Sequence, residues 1–495
     1  MKNPQYLVLG LGIIIFLALC SHYWGWKYDD AYEENVYAAY FAGGKGFVFN
    51  IGGEHIEGYA CFLWELALAA LILLNFEVSI AGPALGVICG VLSLLMLYKL
   101  SSIVSDKRKF AAFPSLFMGS VPAFAIWATS GVETSLFTLL LITSIYLFLK
   151  EERGNSGFYY SSIAFLLLSL TRHEGLIVFF MSLLFRGLKN KKLITANRDY
   201  QKKFLVWLFV LVIPYGLYTV WRLSYFGDLF PNPFYAKSSL ISWYGNISAM
   251  LLVLTYLAPF IVLGALGVVS RKLTSAQKYV LLIAATLLVI IWRLGGWHWA
   301  YRYAIPVIPL ILVFSQSEIE RLFTSIKNQN ILKRLIALLI PLFLVLYLVY
   351  PVAEFDRNFA ASSNGEPHIK FAEWFNKYYP NATLAFGDIG LIRYYSNITI
   401  IDVAGLNNRY IAHHGFSVDY ILQQNPEFVM LISQGEDSFI SLNDPKNEFI
   451  LLYNSPAFHQ NYTLIFKTKI AQAYYYWTYA RKELTVSPEA LANHP

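Results

Sequence analysis

Two adjacent carboxylates, Asp29 and Asp30, are the side chains in this sequence whose type and setting best suit chemistry. They open a polar segment, residues 28–64, that directly follows a strongly apolar stretch. Neighbouring carboxylates raise each other's pKa, which suits removal of a proton from a hydroxyl group. Asp30 and Glu33 also have the spacing of a capping box. If Asp30 caps a helix, Asp29 is left free to act as the base.

The rest of this first segment combines a short helical pattern with irregular chain. Tyr32, Val36 and Tyr40 are spaced to share one helical face, and glycine-rich sequence follows in residues 43–58. A polar, acidic, turn-rich loop between apolar segments is typical of an active-site loop on one face of a membrane. The other long segments would then be the scaffold that positions it.

Cationic side chains for an anionic ligand lie elsewhere in the chain, and the candidates are Lys45, Arg172, Lys237 and Arg302. Arg302 lies among Trp297, Trp299, Tyr301 and Tyr303, which leaves two interpretations open. One is an interfacial aromatic belt with a snorkelling arginine, and the other is a phosphate clamp beside aromatic rings. His173 and His298 are single histidines without the spacing of a metal site.

The composition indicates what holds these residues. Of 495 residues, 57% are hydrophobic and only 14% are charged, whereas soluble domains have about 25% charged residues. The chain is therefore predicted to be a polytopic membrane protein. Its formal charge of +7 comes from basic residues in short loops, so no nucleic-acid partner is expected. Cys20, Cys61 and Cys89 lie in or beside apolar segments and are interpreted as small buried hydrophobes.

Apolar runs predict about eleven membrane helices, with the N-terminal run retained as the first. They cover approximately residues 6–21, 83–100, 111–129, 136–149, 159–170, 176–188, 204–225, 246–269, 279–292, 304–315 and 335–350. Residues 61–76 are apolar but short and contain Glu65, so we expect a helix that lies on the membrane surface.

This assignment places the basic clusters at residues 107–109, 189–203, 271–272 and 333–334 on one side, which is expected to be cytoplasmic. The loops with unusual polar content then all open on the other face. Transporters place ionisable residues near the bilayer midplane, whereas here they gather at helix ends. The pattern favours a surface-facing enzyme whose substrates come from the membrane and from the outer compartment.

Composition changes again at about residue 353, where the long apolar runs stop. A helical stretch near residues 369–377 precedes strand-like TLAF, the turn GDIG, strand-like ITIIDV and later YTLIFKT. Interleaved helical and strand patterns predict a small α/β domain. We therefore expect a membrane domain over 1–352, with its first outer loop at 22–80, and a soluble domain over 353–495.

The first segment resembles the first outer loop of GT-C membrane glycosyltransferases. It is most similar to the group that includes the mycobacterial terminal β-(1→2) arabinofuranosyltransferase. The matching residues are Asp29-Asp30-Ala31, Gly46 to Asn50, Glu57-Gly58-Tyr59 and Leu63-Trp64. Weaker matches follow in the same order through residues 131–134, 171–175, 227–237, 302–309, 387–390, 394–395 and 402–406. Two departures, His173 and the GGWHW loop, fall in loops that would line the substrate sites, so substrate identity stays open.

This resemblance implies a polytopic α-helical GT-C fold with periplasmic juxtamembrane helices and a C-terminal soluble α/β domain. It also implies an inverting glycosyltransferase in the bacterial inner membrane, with its active site on the periplasmic side. The donor would be a polyprenyl-phosphate sugar, with arabinofuranose as one candidate, and the acceptor a cell-envelope glycan or lipid. The sequence shows no required cofactor and leaves room for a divalent cation.

The residues and the resemblance together assign roles to specific side chains. Asp29 is expected to be the catalytic base and Asp30 to cap the helix or orient the acceptor. The side chains expected to bind donor phosphate or sugar are Lys237, Arg302, Arg172, Tyr235, Trp297 and His298. Those expected to contact the acceptor or support the loops are Glu57, Tyr59, Glu133, Glu174 and Asp228.

Two other protein classes fit the composition less well. A lipid-linked sugar flippase or glycan exporter should carry polar residues at the centres of several helices, and the sequence shows no such pattern. An enzyme that transfers phospholipid head groups would need a cluster of metal ligands outside, and the sequence indicates none.

Overall fold

In the computed structural model of the chain, the described residues are 4–105, 110–154, 159–238, 245–270, 272–294, 299–326, 331–352, 365–440, 447–471 and 473–495. The described residues up to position 352 are helical wherever they are regular, and those beyond them form a unit of mixed helices and strands. Among the described residues, five helices are long and apolar enough to cross a membrane.

The helices of the membrane part are α1 (Pro4–His22), α2 (Asp29–Ala42), α3 (Phe62–Leu73), α4 (Val78–Val104), α5 (Phe113–Gly119), α6 (Pro122–Thr129), α7 (Thr134–Glu152), α8 (Tyr160–Thr171), α9 (Glu174–Lys189), α10 (Lys191–Ala196), α11 (Arg198–Phe226), α12 (Asn232–Ser238), α13 (Gly245–Tyr256), α14 (Ala258–Ser270), α15 (Ser275–Leu294), α16 (Ile308–Ile326) and α17 (Ile331–Val349). A 3-10 helix covers Trp299–Ala304. The membrane-spanning candidates are α1, α4, α7, α11 and α15.

Proline divides two of the helices that were predicted to be continuous. The predicted helix over residues 111–129 is wrong, because the chain forms α5 and α6 with a break before Pro122. The residue before a proline is disfavoured in helical conformation, and Val121 is accordingly extended, with ψ 109°. The predicted helix over 246–269 is likewise two helices, α13 and α14, and Pro259 stands in the first turn of the second.

The short polar helix expected in the first segment is present as α2, and a helix is present as α3 within residues 61–76, where a surface helix was expected. Trp64 on α3 is fully buried, and its indole nitrogen donates to the carbonyl oxygen of Gly131 at 3.0 Å. Gly131 has φ +88°, a conformation that favours glycine, in the turn before Glu133. The first segment therefore fixes the turn that precedes Glu133.

The C-terminal unit contains a five-stranded sheet in the order β2-β1-β3-β5-β4. Its strands are β1 (Thr383–Phe386), β2 (Thr399–Asp402), β3 (Phe428–Ser433), β4 (Tyr462–Ala471) and β5 (Tyr474–Arg481). The first three strands are parallel, and β5 runs antiparallel to both β3 and β4. The predicted α/β character is confirmed, although the sequence patterns did not single out β3 and β5.

Short helices surround this sheet. They are α18 (Glu366–Tyr378), α19 (Gly390–Tyr395), α20 (Arg409–His414), α21 (Val418–Gln423), α22 (Glu448–Tyr453), α23 (Pro456–Asn461) and α24 (Pro488–Ala492). A hydrophobic core runs from the sheet through α18 into the first segment, where it includes Tyr37, Phe49 and Trp64.

A side chain of the first segment also binds the backbone of the sheet. The side chain of Asn50 donates to the carbonyl oxygen of Ile400 at 2.8 Å and accepts from its N–H at 3.0 Å. Asn50 thereby pairs with edge strand β2 as a further strand would. The membrane part and the C-terminal unit thus share one interface. The loops that carry the candidate site residues lie beside it.

Candidate active site

A cavity of about 600 Å³ lies where the first segment meets the loops of the helical part. Its charged and polar lining comes from Asp30, Glu33, Glu34, Glu133, Arg172, His173, Glu174, Arg222, Lys237 and Arg302. Its apolar lining includes Leu176, Ile177, Phe180, Ile290, Phe230 and Phe234. Leu406 of the C-terminal unit completes the wall. The cavity wall therefore combines many charged side chains with apolar ones.

Asp30, the second residue of α2, lines this cavity. Its carboxylate accepts from the hydroxyl of Tyr28 at 2.8 Å and from Nη1 of Arg302 at 3.1 Å. The helix begins two residues earlier than the capping-box spacing predicted, and its N-cap, Tyr28, makes no side-chain capping bond. The expectation that Asp30 caps the helix is therefore wrong. With 44% of its side chain exposed, Asp30 is the most exposed carboxylate in the cavity wall.

Asp29 has a different environment. Its two carboxylate oxygens accept from the backbone N–H groups of Gly390 at 3.0 Å and Leu391 at 2.8 Å. The expectation that Asp29 is free is wrong, because its partners are at the start of α19, more than 360 residues further along the chain. Burial, followed by the charge of Asp388, raises the pKa of Asp29 to about 7, although both N–H groups lower it. Asp29 thus joins the two parts of the molecule.

Glu133 bridges two arginines of the cavity wall. One of its oxygens contacts Nη1 of Arg172, and the other accepts from Nη2 of Arg302 at 3.2 Å. Burial favours the protonated acid, but Arg302 and Arg172 hold the pKa of Glu133 below its ordinary value. Glu174, at the start of α9, takes the other side of Arg172 at 2.7 Å. The result is an alternating row of charges along one wall.

Arg302 itself is enclosed. Only 11% of its side chain is exposed, and its guanidinium lies 5.1 Å from the ring centroid of Trp127. This position favours the clamp over the snorkelling arginine, because the charged end faces the cavity and its acidic partners. Trp297 and His298, which were expected beside it, lie outside the described residues.

Lys237 and Tyr235 lie on α12 but face different surroundings. Lys237 lines the cavity and has no ion-pair partner among the described residues, so its charge is available to an anionic ligand. Tyr235 is not brought into the cavity wall, because its ring stacks on His413 of the C-terminal unit, with 4.2 Å between centroids. Asn232 anchors the helix by donating to the carbonyl oxygens of Gly405 and Leu406 at 2.7 and 2.9 Å.

The remaining predicted residues lie around this anchor. Glu57 accepts from Nε of Arg222 at 2.8 Å, and neither side chain is more than 3% exposed. Tyr59 lines the cavity, whereas Asp228 binds Arg409 at 3.1 Å and His413 at 3.4 Å. Glu57 and Asp228 therefore support loops rather than face the cavity.

Several lining residues were missed by the sequence analysis. Asp30, Glu33, Glu34 and Tyr37 follow each other at helical spacing, so all four share one face of α2 and all line the cavity. The spacing is visible in the sequence, but of these four residues only Asp30 was predicted to have a functional role. Asn407, which follows β2, donates to Glu33 at 2.6 Å and could not have been linked to it without the fold.

His173 also faces the cavity, and its sequence position gave no indication of its state. Burial, with a smaller contribution from the charge of Arg222, lowers the pKa of His173 to about 4. Its Nε2 has no hydrogen-bond partner among the described residues. The neutral imidazole is thus positioned to donate to or accept from a bound ligand.

Comparison with known proteins matches part of the chain to a family model and most of the chain to solved structures. Residues 357–486 match the model of a domain of unknown function, DUF8728. No curated protein sequence matches the chain.

Solved structures resemble the whole chain. ArnT from Cupriavidus metallidurans bound to undecaprenyl phosphate is 11% identical, with a TM-score of 0.59 over 96% of this chain and 97% of that one. The Archaeoglobus fulgidus oligosaccharyltransferase in its apo form is 13% identical, with a TM-score of 0.58 over 87% of this chain and 70% of that one. The archaeal oligosaccharyltransferase AglB of the same organism, with an inhibitory peptide and a dolichol-phosphate, is 12% identical, with a TM-score of 0.58 over 87% and 69%.

At identities this low, the structural similarity establishes the fold alone. The chain has the GT-C fold, in which a polytopic helical membrane part carries a C-terminal soluble α/β domain, and the predicted fold class is confirmed.

Proposed function

We propose that this protein is an inverting glycosyltransferase that moves a sugar from a polyprenyl-phosphate donor to an acceptor hydroxyl, with Asp30 as the base. One observation carries the proposal: the cavity joins an exposed carboxylate and an available cation to an apolar wall. Each of these parts matches one requirement of the reaction.

The acceptor hydroxyl needs a base. Asp30 has an exposed carboxylate inside the cavity, while Asp29 is occupied by the backbone of Gly390 and Leu391. Tyr28 and Arg302 hold the Asp30 carboxylate in place without covering it. A base held in this way can take the hydroxyl proton as the oxygen attacks the anomeric carbon from the side opposite the phosphate. The anomeric configuration would then invert.

The leaving group already carries negative charge, so it needs cations rather than an acid. Lys237 supplies an ammonium group that has no acidic partner among the described residues. Arg302 and Arg172 bind Glu133 and still line the cavity, so they can share a phosphate as its charge grows. The histidine at position 173 is neutral and can hydrogen-bond the sugar or the phosphate without adding charge.

The apolar wall would accept the polyprenyl chain. Three of its side chains, Leu176, Ile177 and Phe180, lie on α9. Two of them are well exposed, Phe180 at 56% and Ile177 at 38%. Under this proposal the exposed side chains of the wall would face lipid. Proteins of the same fold have been solved with undecaprenyl phosphate and with a dolichol-phosphate, which supports a donor of this class.

The side of the membrane and the acceptor belong to the proposal as well. The basic loops predict that the cavity and the domain over 353–495 lie on the periplasmic side of a bacterial inner membrane. The acceptor would be a cell-envelope glycan or glycolipid, and the resemblance in the first segment makes arabinofuranose the first sugar to test. The chief alternative, a non-enzymatic flippase or exporter, predicts movement of the lipid-linked sugar without transfer.

Turnover by the purified protein with polyprenyl-phosphate sugars tests the base. Asp30→Asn should lower turnover by roughly 10²–10⁴-fold, the loss expected for general-base catalysis, while donor binding stays. A wild-type protein that moves the donor across vesicles and never transfers sugar would establish the flippase alternative. Full activity of Asp30→Asn would remove the base assignment.

Donor binding tests the cation. Lys237→Ala should weaken binding by roughly 1.5–3 kcal/mol, the value of a hydrogen bond to a charged group. Lys45→Ala is the matched control, because Lys45 is an exposed cation of the first segment that does not line the cavity. Equal effects of the two variants would contradict a specific role for Lys237.

A further inference from the structure

A second cluster of chemically active side chains lies beside the catalytic residues and plays no part in the proposed transfer. It consists of Glu34 on α2, Cys61 just before α3, and Glu65 in the first turn of α3. One oxygen from each carboxylate and the sulfur of Cys61 lie within 4.8 Å of one another. All three residues are buried, Glu65 completely.

The cluster lacks the partners that buried carboxylates need. Oε2 of Glu34 and Oε2 of Glu65 each have no hydrogen-bond partner among the described residues. The Cys61 sulfur lies 3.9 Å from Oε1 of Glu65, which is a weak contact. Burying a carboxylate without a compensating partner costs several kcal/mol. An arrangement of this kind points to a positive ligand between the two carboxylates and the Cys61 sulfur.

We propose that Glu34, Cys61 and Glu65 bind a divalent transition-metal ion of the Zn²⁺ class at the edge of the cavity. Carboxylate oxygen and thiolate sulfur are both zinc ligands, whereas Mg²⁺ and Ca²⁺ prefer oxygen alone. Three protein ligands leave one position open, as in catalytic rather than structural zinc sites. Glu34 and Cys61 line the cavity, so the open position would face its contents.

The charges around the cluster favour binding of a cation. The carboxylates of Glu34, Glu65 and Glu133 all lie close enough to Cys61 to act on it electrostatically. Arg302 is the positive group that acts on Glu34, but it already pairs with Asp30 and Glu133. A divalent ion would allow all three ligands to be deprotonated, as metal binding requires.

The inference does not depend on sugar transfer, because its readout is metal binding. The purified full-length protein is stripped with a chelator and titrated with Co²⁺, which shows a charge-transfer absorption band when a thiolate ligates it. We expect one Co²⁺ per chain, with the thiolate band, and loss of the band when Zn²⁺ is added. Wild-type protein that binds no Co²⁺, or binds it without the thiolate band, would overturn the proposal and identify a protonated carboxyl pair instead.

Variants test the ligands separately. Cys61→Ser should lose the thiolate band, and Glu34→Gln should lose stoichiometric binding. Cys89→Ser is the matched control, because Cys89 is a buried cysteine of α4 and should leave the band unchanged. Persistence of the band in Cys61→Ser, or its loss in Cys89→Ser alone, would contradict the assignment. The wild-type titration and Glu34→Gln keep the test decisive even if Cys61→Ser does not fold.

Discussion

The ion pair between Glu57 and Arg222 offers a quantitative test of how the cavity is held open. Nε and Nη2 of Arg222 both contact Oε2 of Glu57, at 2.8 and 2.5 Å, and the two side chains are 2% and 3% exposed. Nη1 of the same arginine donates to the carbonyl oxygen of Leu229 at 3.0 Å. The pair therefore ties the first segment to α11 and to the loop that precedes Lys237.

Glu57→Gln removes one charge and leaves the other buried. Breaking a buried pair by removing one partner typically costs roughly 3–5 kcal/mol, because the remaining charge has lost its compensation. We expect a loss of that size in the free energy of unfolding, measured in detergent. We also expect weaker donor binding, because the backbone N–H of Asn232, at the start of α12, donates to the carbonyl oxygen of Glu57 at 2.9 Å.

A double-mutant cycle separates the pair from the individual side chains. Glu57→Gln with Arg222→Gln leaves no unpaired charge, so the double variant should cost much less than the two single losses added together. Glu489→Gln is the exposed control, because it breaks a surface pair with Lys377 and should change stability too little to measure. Additive losses in the cycle would refute the reasoning, since they would mean that the two charges do not compensate each other.

Two further outcomes follow from the contact between Asp29 and α19. Gly390→Ala would place a Cβ against the main-chain carbonyl of Asp29 and 2.9 Å from the N–H nitrogen of Glu33, so it should destabilise docking of the C-terminal unit by roughly 1–3 kcal/mol. Proteolytic release of that unit measures the effect, and Gly187→Ala, which meets no atom within 4 Å, should release nothing extra. The folded Asp29 carboxyl, with its pKa raised from 3.8 to about 7, keeps its proton to higher pH than the unfolded one. Its contribution to stability is therefore full below pH 3.8 and is lost as the pH rises through about 7. Thermal unfolding across this range should show that slope in the wild type and lose it in Asp29→Asn, whereas an unchanged slope would contradict the assignment.

Much of the architecture could be predicted because it is recorded locally. Long apolar runs fixed the membrane helices such as α4 and α11, and the end of those runs marked the start of the α/β unit. Helix breaks at Pro122 and Pro259 were local too, but the apolar pattern runs through them and concealed them. Arg172, Glu133, Lys237 and Arg302 were all selected from sequence, and the structure brings them around one cavity.

The roles of Asp29 and Asp30 could not be separated in the same way. Local spacing favoured Asp30 as the cap, but the partner of Asp29 is a pair of backbone N–H groups in α19. The ring of Tyr235 likewise stacks on a histidine that the sequence places far away. Cys61 has no metal spacing in the sequence because its neighbours Glu34 and Glu65 converge only when α2 packs on α3. Contacts between distant segments determine the roles of these residues. No periodicity in the sequence indicates such contacts.

Leu406 lies in the cavity wall, and the loop that carries it also anchors α12 through Asn232 and α2 through Asn407. These residues are synthesised after the membrane helices described above, the last of which, α17, ends at Val349. A nascent chain that has inserted all its helices therefore still has an open, unfinished cavity. Under the proposed function the protein begins to consume donor only after this C-terminal unit has folded, so sugar transfer cannot start while the membrane part alone has been made.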